Sequence, residues 1–132
     1  MNRLQGEITS IDTEGNLSLV GISYRDISLK SIIIEKPGTV SYLKLGHSVN
    51  ILFKETEVFI GKNTELPVSI QNRIPCTISS IEKGKLLSKI VMKSMSDEIV
   101  SVITTHAVEQ LGLVTGETVL AMIKTNEIML SE

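Results

Sequence analysis

The sequence is short of aromatic residues and of cysteine. It has no tryptophan, two phenylalanines, two tyrosines and one cysteine, Cys76. A lone cysteine cannot form an internal disulfide or a thiolate cage for zinc. No histidine motif accompanies Cys76, so we expect a small buried side chain rather than a nucleophile. Binding of single-stranded nucleic acid needs aromatic stacking platforms and a basic groove, which few aromatics and a net charge of −2 argue against.

Long apolar runs and clusters of catalytic residue types are also missing. No run approaches the length that crosses a membrane, and the first residues lack a signal-peptide core. The sequence shows no nucleophile–base pair, carboxylate pair or group of metal ligands, and His106 alone is poor evidence for a cation site. With 42% apolar and 21% charged residues, we expect a globular protein. Because the targeting signals and catalytic motifs are missing, we expect it to be cytoplasmic and not an enzyme.

What the sequence does contain is an internal repeat, which indicates a duplicated domain. Residues 2–60 match residues 72–130 without a gap. The identical pairs include Asn2/Asn72, Arg3/Arg73, Ile8/Ile78, Ser18/Ser88, Ser31/Ser101, Gly46/Gly116, Val49/Val119 and Lys54/Lys124. We place the first domain at 1–62, a linker at 63–68 and the second domain at 69–132. Each copy is too small to bury a large core alone, so we expect the copies, or several chains, to pack together.

The second copy has the clearer pattern of strands and turns. Alternating, β-branched segments predict strands at 77–81, 86–92, 98–104, 118–124 and 127–130. Thr104 or Thr105 is expected to cap a short helix, His106 to Leu111, which Gly112 ends. In the first copy Pro37 and Gly38 weaken any helix at the matching place. The order predicts an all-β fold of two tandem OB-like five-stranded Greek-key barrels, each with one short helix.

Three stretches of the second copy carry a family resemblance. They are Asn72-Arg-Ile-Pro-Cys-Thr-Ile-Ser-Ser-Ile-Glu, Val100-Ser-Val-Ile-Thr-Thr-His-Ala-Val-Glu-Gln-Leu-Gly-Leu, and Gly116-Glu-Thr-Val-Leu-Ala-Met-Ile-Lys-Thr-Asn-Glu-Ile-Met-Leu. Residues 69–130 resemble a molybdenum-pterin-binding-protein (Mop) domain, also called a TOBE domain, and the whole chain resembles a tandem di-Mop protein. The resemblance implies binding of molybdate or tungstate at domain or subunit interfaces of a homo-oligomer, a dimer or trimer, for molybdenum storage, buffering or homeostasis.

The resemblance also implies a set of oxyanion-binding residues in three elements. These are Ser69, Gln71 and Asn72 at the domain start, Thr104 and Ala107 at the helix start, and Lys124 and Thr125 after the fourth strand, with Lys54 as the first-copy counterpart of Lys124. Gln71 stands where the family usually has arginine, and Ala107 where it has serine.

The first copy departs further from the family's site pattern. Ile34 and Pro37 replace the two hydroxyl positions, and Glu55 follows Lys54. A carboxylate there would repel a dianion, so we expect the second copy to contribute most of the ligands.

The proposed ligands suit a tetrahedral dianion, which only accepts hydrogen bonds. Hydroxyls and a lysine ammonium donate them. Each residue also has a plainer interpretation: Lys124 as a solvated strand end, Thr104 as a helix cap, Ser69 as a solvated linker residue.

An alternative function is a degenerate Mop-type sensor or interaction module that acts with a transcription regulator or a transporter ATPase. A stable protein partner without oxyanion affinity would favour that alternative.

Overall fold

The computed structural model describes residues 1–62, 65 and 67–132. Of the predicted linker 63–68, residues 63, 64 and 66 lie outside the described residues. The first repeat contains β1 (Asn2–Glu14), β2 (Leu17–Tyr24), β3 (Ile27–Ile33), β4 (Ser48–Phe53) and β5 (Phe59–Gly61). The second contains β6 (Asn72–Lys83), β7 (Leu87–Ser94), β8 (Asp97–Thr104), α1 (Thr105–Leu111), β9 (Thr118–Ile123) and β10 (Met129–Ser131). The predicted mainly-β repeat is therefore confirmed.

The first strand of each repeat is long and bent. In β1 the register shifts between Ile8 and Ser10, and in β6 it shifts between Ile78 and Ser80. A bulge of this kind bends the strand and increases its twist. The N-terminal half of β1 therefore pairs with β4, while its C-terminal half pairs with β2. The same division holds for β6 with β9 and β7, so both sheets curve in the same way.

The short helix of the second repeat begins and ends as its capping residues predict. The Thr104 hydroxyl accepts a hydrogen bond from the Ala107 backbone N–H at 3.1 Å. Gly112 ends the helix in the left-handed region, at φ 63°. In the first repeat the matching segment around Pro37 and Gly38 forms a bridge and turns. The prediction of one such short helix in each repeat is therefore correct for the second repeat and wrong for the first, because Pro and Gly disfavour a helix there. No helix in the described part of the chain is long and apolar enough to span a bilayer.

The last strand of each repeat joins the sheet of the other repeat. The two five-stranded sheets have the orders β10-β4-β1-β2-β3 and β5-β9-β6-β7-β8. In the first, Leu130 lies opposite Ile51, and in the second Ile60 lies opposite Ala121. The sequence did not predict this exchange. It means that each sheet is completed by the other repeat, while the limits 1–62 and 69–132 stay a prediction.

Equivalent asparagines join the two repeats. The Asn72 side chain accepts a hydrogen bond from the Lys30 backbone N–H at 2.7 Å and donates one to the Lys30 carbonyl at 2.9 Å. Asn2 makes the same pair of bonds with the backbone of Val100, both at 2.8 Å. Lys30 lies on β3 and Val100 on β8, and each of these is an edge strand of its sheet. Each asparagine therefore satisfies backbone groups that no neighbouring strand pairs.

Two buried serines repeat the same relation. The Ser31 hydroxyl donates to the Ile128 carbonyl, and the Ser101 hydroxyl donates to the Val58 carbonyl, each at 2.7 Å. Every one of these contacts has its counterpart in the other repeat, so the pair is related by an approximate two-fold axis. The apolar core runs through both repeats and includes Leu4, Ile22, Tyr24, Ile51, Phe53, Ile74, Ile78, Ile90, Met92 and Ile123.

Candidate functional site

A pocket of about 450 Å³ lies where the chain enters β6 and leaves β9. Its lining residues are Phe59, Ser69, Ile70, Gln71, Lys124 and Thr125. The fold therefore brings together the first and third of the three sequence elements, which are more than 50 residues apart in the chain. The lining offers hydroxyl and carboxamide donors beside one ammonium group.

Lys124 is the charged residue of this pocket lining. It lies at the start of a 3₁₀ helix, Thr125–Glu127, where its backbone is extended at φ −66° and ψ 150°. Its carbonyl accepts a hydrogen bond from the Glu127 N–H at 3.0 Å, which fixes the turn. The side chain is exposed, and within the described residues its ammonium group has no carboxylate partner. Its positive charge is thus available to an anion in the pocket.

Asn72 does not line the pocket, although the family resemblance places it among the ligands. Its side chain is fully buried, and both polar atoms are engaged by the backbone of Lys30. The matching residue Asn2 does the same in the repeat that lacks most of the site pattern. This recurrence indicates that the Asn72 side chain serves the interface between the repeats.

Thr104 and Ala107 also lie outside this pocket. The Ala107 N–H is already hydrogen-bonded to Thr104, as described above, and so is not a free donor for an anion. Ala107 instead lines an apolar pocket of about 250 Å³ together with Ile103, Leu111 and Phe59. Within one chain, Ala107 therefore faces a hydrophobic surface, and neither residue of the second element lines the Lys124 pocket.

The first repeat has a carboxylate at the place that corresponds to Thr125. Lys54 has the same backbone geometry as Lys124 and begins the equivalent 3₁₀ helix, Glu55–Glu57. Beside it, the Glu55 carboxylate lies 2.5 Å from the amino group of Met1. The hydrogen bond from that ammonium group is the main cause that lowers the pKa of Glu55. Lys54 is therefore followed by a carboxylate, where Lys124 is followed by the Thr125 hydroxyl.

The sequence analysis did not name two of the lining residues, Ile70 and Phe59. Phe59 is the one that comes from the other repeat. Phe59 lies on β5 of the first repeat and borders both the Lys124 pocket and the apolar pocket that contains Ala107. Its position follows from the strand exchange, because β5 pairs with β9. No local signal in the sequence indicates that an aromatic residue of one repeat forms a wall of the other repeat's site.

Cys76 is buried, as expected, and its thiol donates to the carbonyl of Ile74. Burial raises the pKa of this thiol to about 12, so the reactive thiolate is scarce near neutral pH. No group of three or more histidine, cysteine, aspartate or glutamate side chains is placed to hold a metal ion within residues 1–62, 65 and 67–132.

We expect Cys76 to resist thiol reagents in the folded chain. At mildly alkaline pH, modification by a disulfide reagent should be at least about a hundred-fold slower than in urea, because the folded thiol is both inaccessible and protonated. Absorbance of the thiolate that the reagent releases measures the rate, and the urea-unfolded chain is the control. Equal rates in the two conditions would contradict the buried position.

Comparison with known proteins identifies the family. The model of the TOBE domain matches residues 68–130. The solved structure of a molybdate-binding protein from Sporomusa ovata is 34% identical, with a TM-score of 0.50 over 51% of this chain and all of that chain. The chain belongs to the Mop/TOBE family. The Mop/TOBE molybdate-binding proteins are binding proteins and not enzymes.

The fold of this Mop/TOBE protein is shared over its whole length. The cytoplasmic molybdate-binding protein ModG, solved with molybdate bound, has a TM-score of 0.91 over 98% of this chain and 94% of that chain, at 22% identity. MopII from Clostridium pasteurianum is 24% identical over 49% of this chain and 98% of that chain, with a TM-score of 0.48. A search of curated proteins finds no match. The likeness to ModG confirms the predicted tandem OB-like architecture.

Proposed function

We propose that this protein binds molybdate or tungstate in the cytoplasm, for molybdenum storage, buffering or homeostasis. The observation that carries the proposal is the Lys124 pocket. Lys124, whose ammonium group has no carboxylate partner among the described residues, lines this pocket together with Ser69, Gln71 and Thr125. Charge-assisted hydrogen bonds to an anion are stronger than neutral ones, and the lining contains no carboxylate to oppose them. Membership of a family that includes molybdate-binding proteins supports the choice of anion.

The second repeat supplies most of the proposed ligands. Ser69, Gln71, Lys124 and Thr125 all belong to it, and the first repeat contributes Phe59 as a wall. In the first repeat Glu55 occupies the position of Thr125, and its carboxylate disfavours a second anion beside Lys54. We therefore expect fewer binding sites than repeats, one for each chain.

A second copy of the chain would complete the site. Phe59, which lines the Lys124 pocket, is 48% exposed. Thr104 and Ala107, the remaining element of the family pattern, lie outside it within one chain. A homo-oligomer, a dimer or trimer, that places Thr104 of one subunit over the Lys124 pocket of another would supply the missing donors. Ligand should then also stabilise the oligomer.

Calorimetry and native mass spectrometry with four oxyanions test the proposal. We expect heat and a mass shift with molybdate and tungstate, and weaker binding of sulfate and phosphate at the same ionic strength. Ligand that binds only the folded state also raises the unfolding temperature, by an amount that grows with its concentration. Absence of both signals with molybdate and tungstate would refute the proposal and would favour the sensor or interaction module.

A further inference from the structure

The contacts between the repeats follow the two-fold relation at the exchanged strands but depart from it at the axis. Tyr24 and Ser94 occupy equivalent positions of the two repeats, and they contact each other. The Tyr24 side chain is fully buried, Ser94 is 2% exposed, and their hydroxyl oxygens lie 3.3 Å apart. A large side chain of one repeat therefore fills the space that a small one leaves in the other.

This pair would not form between two like repeats. Two first repeats would bring one Tyr24 against another in a space that holds a single ring, and overpacking of a buried site is destabilising. Two second repeats would bring Ser94 against Ser94 and leave a cavity, which is destabilising for the opposite reason. The difference in volume at this position thus distinguishes the pairing of unlike repeats from both alternatives.

The charged groups around Tyr24 are also asymmetric between the two repeats. The Asp97 carboxylate accepts hydrogen bonds from the Tyr24 hydroxyl at 2.7 Å and from the Arg25 guanidinium at 2.9 Å. The positions equivalent to Arg25 and Asp97 are Met95 and Ile27. In a pair of like repeats, each charged group would therefore face an apolar side chain and lose its partner, which is costly where the group is partly buried.

A reversed pair of charges stands at the ends of the exchanged strands. Beyond β5, the Lys62 ammonium lies 2.9 Å from the Glu117 carboxylate. Beyond β10, the Glu132 carboxylate lies 3.9 Å from the His47 imidazole, a contact that is an ion pair only when the imidazole is protonated. Like repeats would bring Lys62 to His47, or Glu132 to Glu117. Exposed pairs of this kind contribute little singly, but both act in the same direction as the Tyr24–Ser94 contact.

We propose that the interface between the repeats is selective: it accepts the unlike repeat as partner and rejects a like repeat, including one from a second copy of the chain. The Tyr24–Ser94 contact with Asp97 and Arg25 is the main determinant, and the reversed charges at the strand ends add to it. Attractive contacts in the correct pairing and steric or charge conflicts in the wrong ones together give such specificity. The duplicated chain can then close on itself although its two halves share one fold.

Two substitutions at the axis test the complementarity within one chain. Ser94→Tyr should lower the urea midpoint of unfolding, because two rings then compete for one space. Tyr24→Ser should lower it in the wild-type background through the cavity it leaves, but raise it in the Ser94→Tyr background. Adding the second substitution should recover about half of the lost midpoint or more, as expected for contacting residues. If Tyr24→Ser lowers the midpoint equally in both backgrounds, the proposal is wrong.

Co-refolding of two variant chains tests whether size complementarity between residues 24 and 94 selects the partner. Neither Ser94→Tyr nor Tyr24→Ser has a complementary pair within its own chain, but the two chains together form two complementary pairs. We expect native mass spectrometry after co-refolding to show the mixed dimer about ten-fold above either homodimer. Chains folded separately and then mixed are the control for reversible association. The wild-type chain co-refolded with the Tyr24→Ser/Ser94→Tyr chain should show no such excess. Equal amounts of mixed dimers and homodimers from the single variants would overturn the proposal.

Discussion

Replacement of Asn72 by alanine is expected to lower the free energy of unfolding by about 2–4 kcal/mol. The substitution removes two buried hydrogen bonds and leaves the N–H and the carbonyl of Lys30 without those partners. Loss of a buried partner costs more than loss of an exposed one, since the remaining group stays desolvated. Urea unfolding followed by circular dichroism measures the change.

Matched variants separate this structural role from ligand binding. Asn2→Ala removes the equivalent bonds to Val100 and should cost a similar free energy. Asn126→Ala changes an exposed asparagine and should stay within about 0.5 kcal/mol of the wild type. If Asn72→Ala instead leaves stability unchanged and abolishes oxyanion binding, Asn72 is a ligand and does not stabilise the interface between the repeats.

For Asn72, the role that the family pattern implies differs from the role that the fold shows. The pattern implies a ligand, whereas the side chain is hydrogen-bonded to the backbone of Lys30. A motif marks Asn72 as part of the site, but a motif does not say which member binds ligand and which holds the strand that presents it. Asn2 recurs in the repeat that has few site residues, and this recurrence indicates a structural role for the asparagine. A residue retained in a copy that has lost the neighbouring ligands is explained by its contacts within the fold.

The local structure could be predicted because it depends on neighbouring residues. Thr104 and Gly112 delimit α1 through capping rules that need no tertiary context. The turn at Ser94-Met95-Ser96-Asp97 joins β7 to β8 where the strand pattern breaks. Pro37 and Gly38 likewise explain why the first repeat has turns instead of a helix.

The strand exchange could not be predicted in this way. β5 and β10 are three residues long, and each has the same hydrogen-bonding groups to offer to either sheet. Because the repeats are alike, the edge of β4 and the edge of β9 present similar partners. Periodicity shows that a segment is a strand, but it does not show which of two similar edges the strand pairs with. Phe59 was missed as a pocket residue for the same reason.

Lys124→Gln is expected to weaken molybdate binding by about 10- to 100-fold, because a charge-assisted hydrogen bond contributes about 1.5–3 kcal/mol. The matched control is Lys54→Gln, which removes the same charge from the same backbone geometry in the repeat where Glu55 stands beside it. It should change the affinity by no more than about two-fold, the effect of one distant exposed charge under screening. Calorimetry at one fixed ionic strength measures both, and circular dichroism checks that each variant is folded.

A substitution at Thr125 tests the same electrostatic argument by adding a negative charge to the pocket instead of removing a positive one. Thr125→Glu gives the second repeat the carboxylate that the first repeat has at Glu55. It adds a negative charge to a lining that has none and removes a hydroxyl donor, so we expect a larger loss of affinity than for Lys124→Gln. Thr125→Ser retains the hydroxyl and should bind nearly as the wild type does. Equal losses for Lys54→Gln and Lys124→Gln, or full affinity in Thr125→Glu, would place the anion outside the Lys124 pocket.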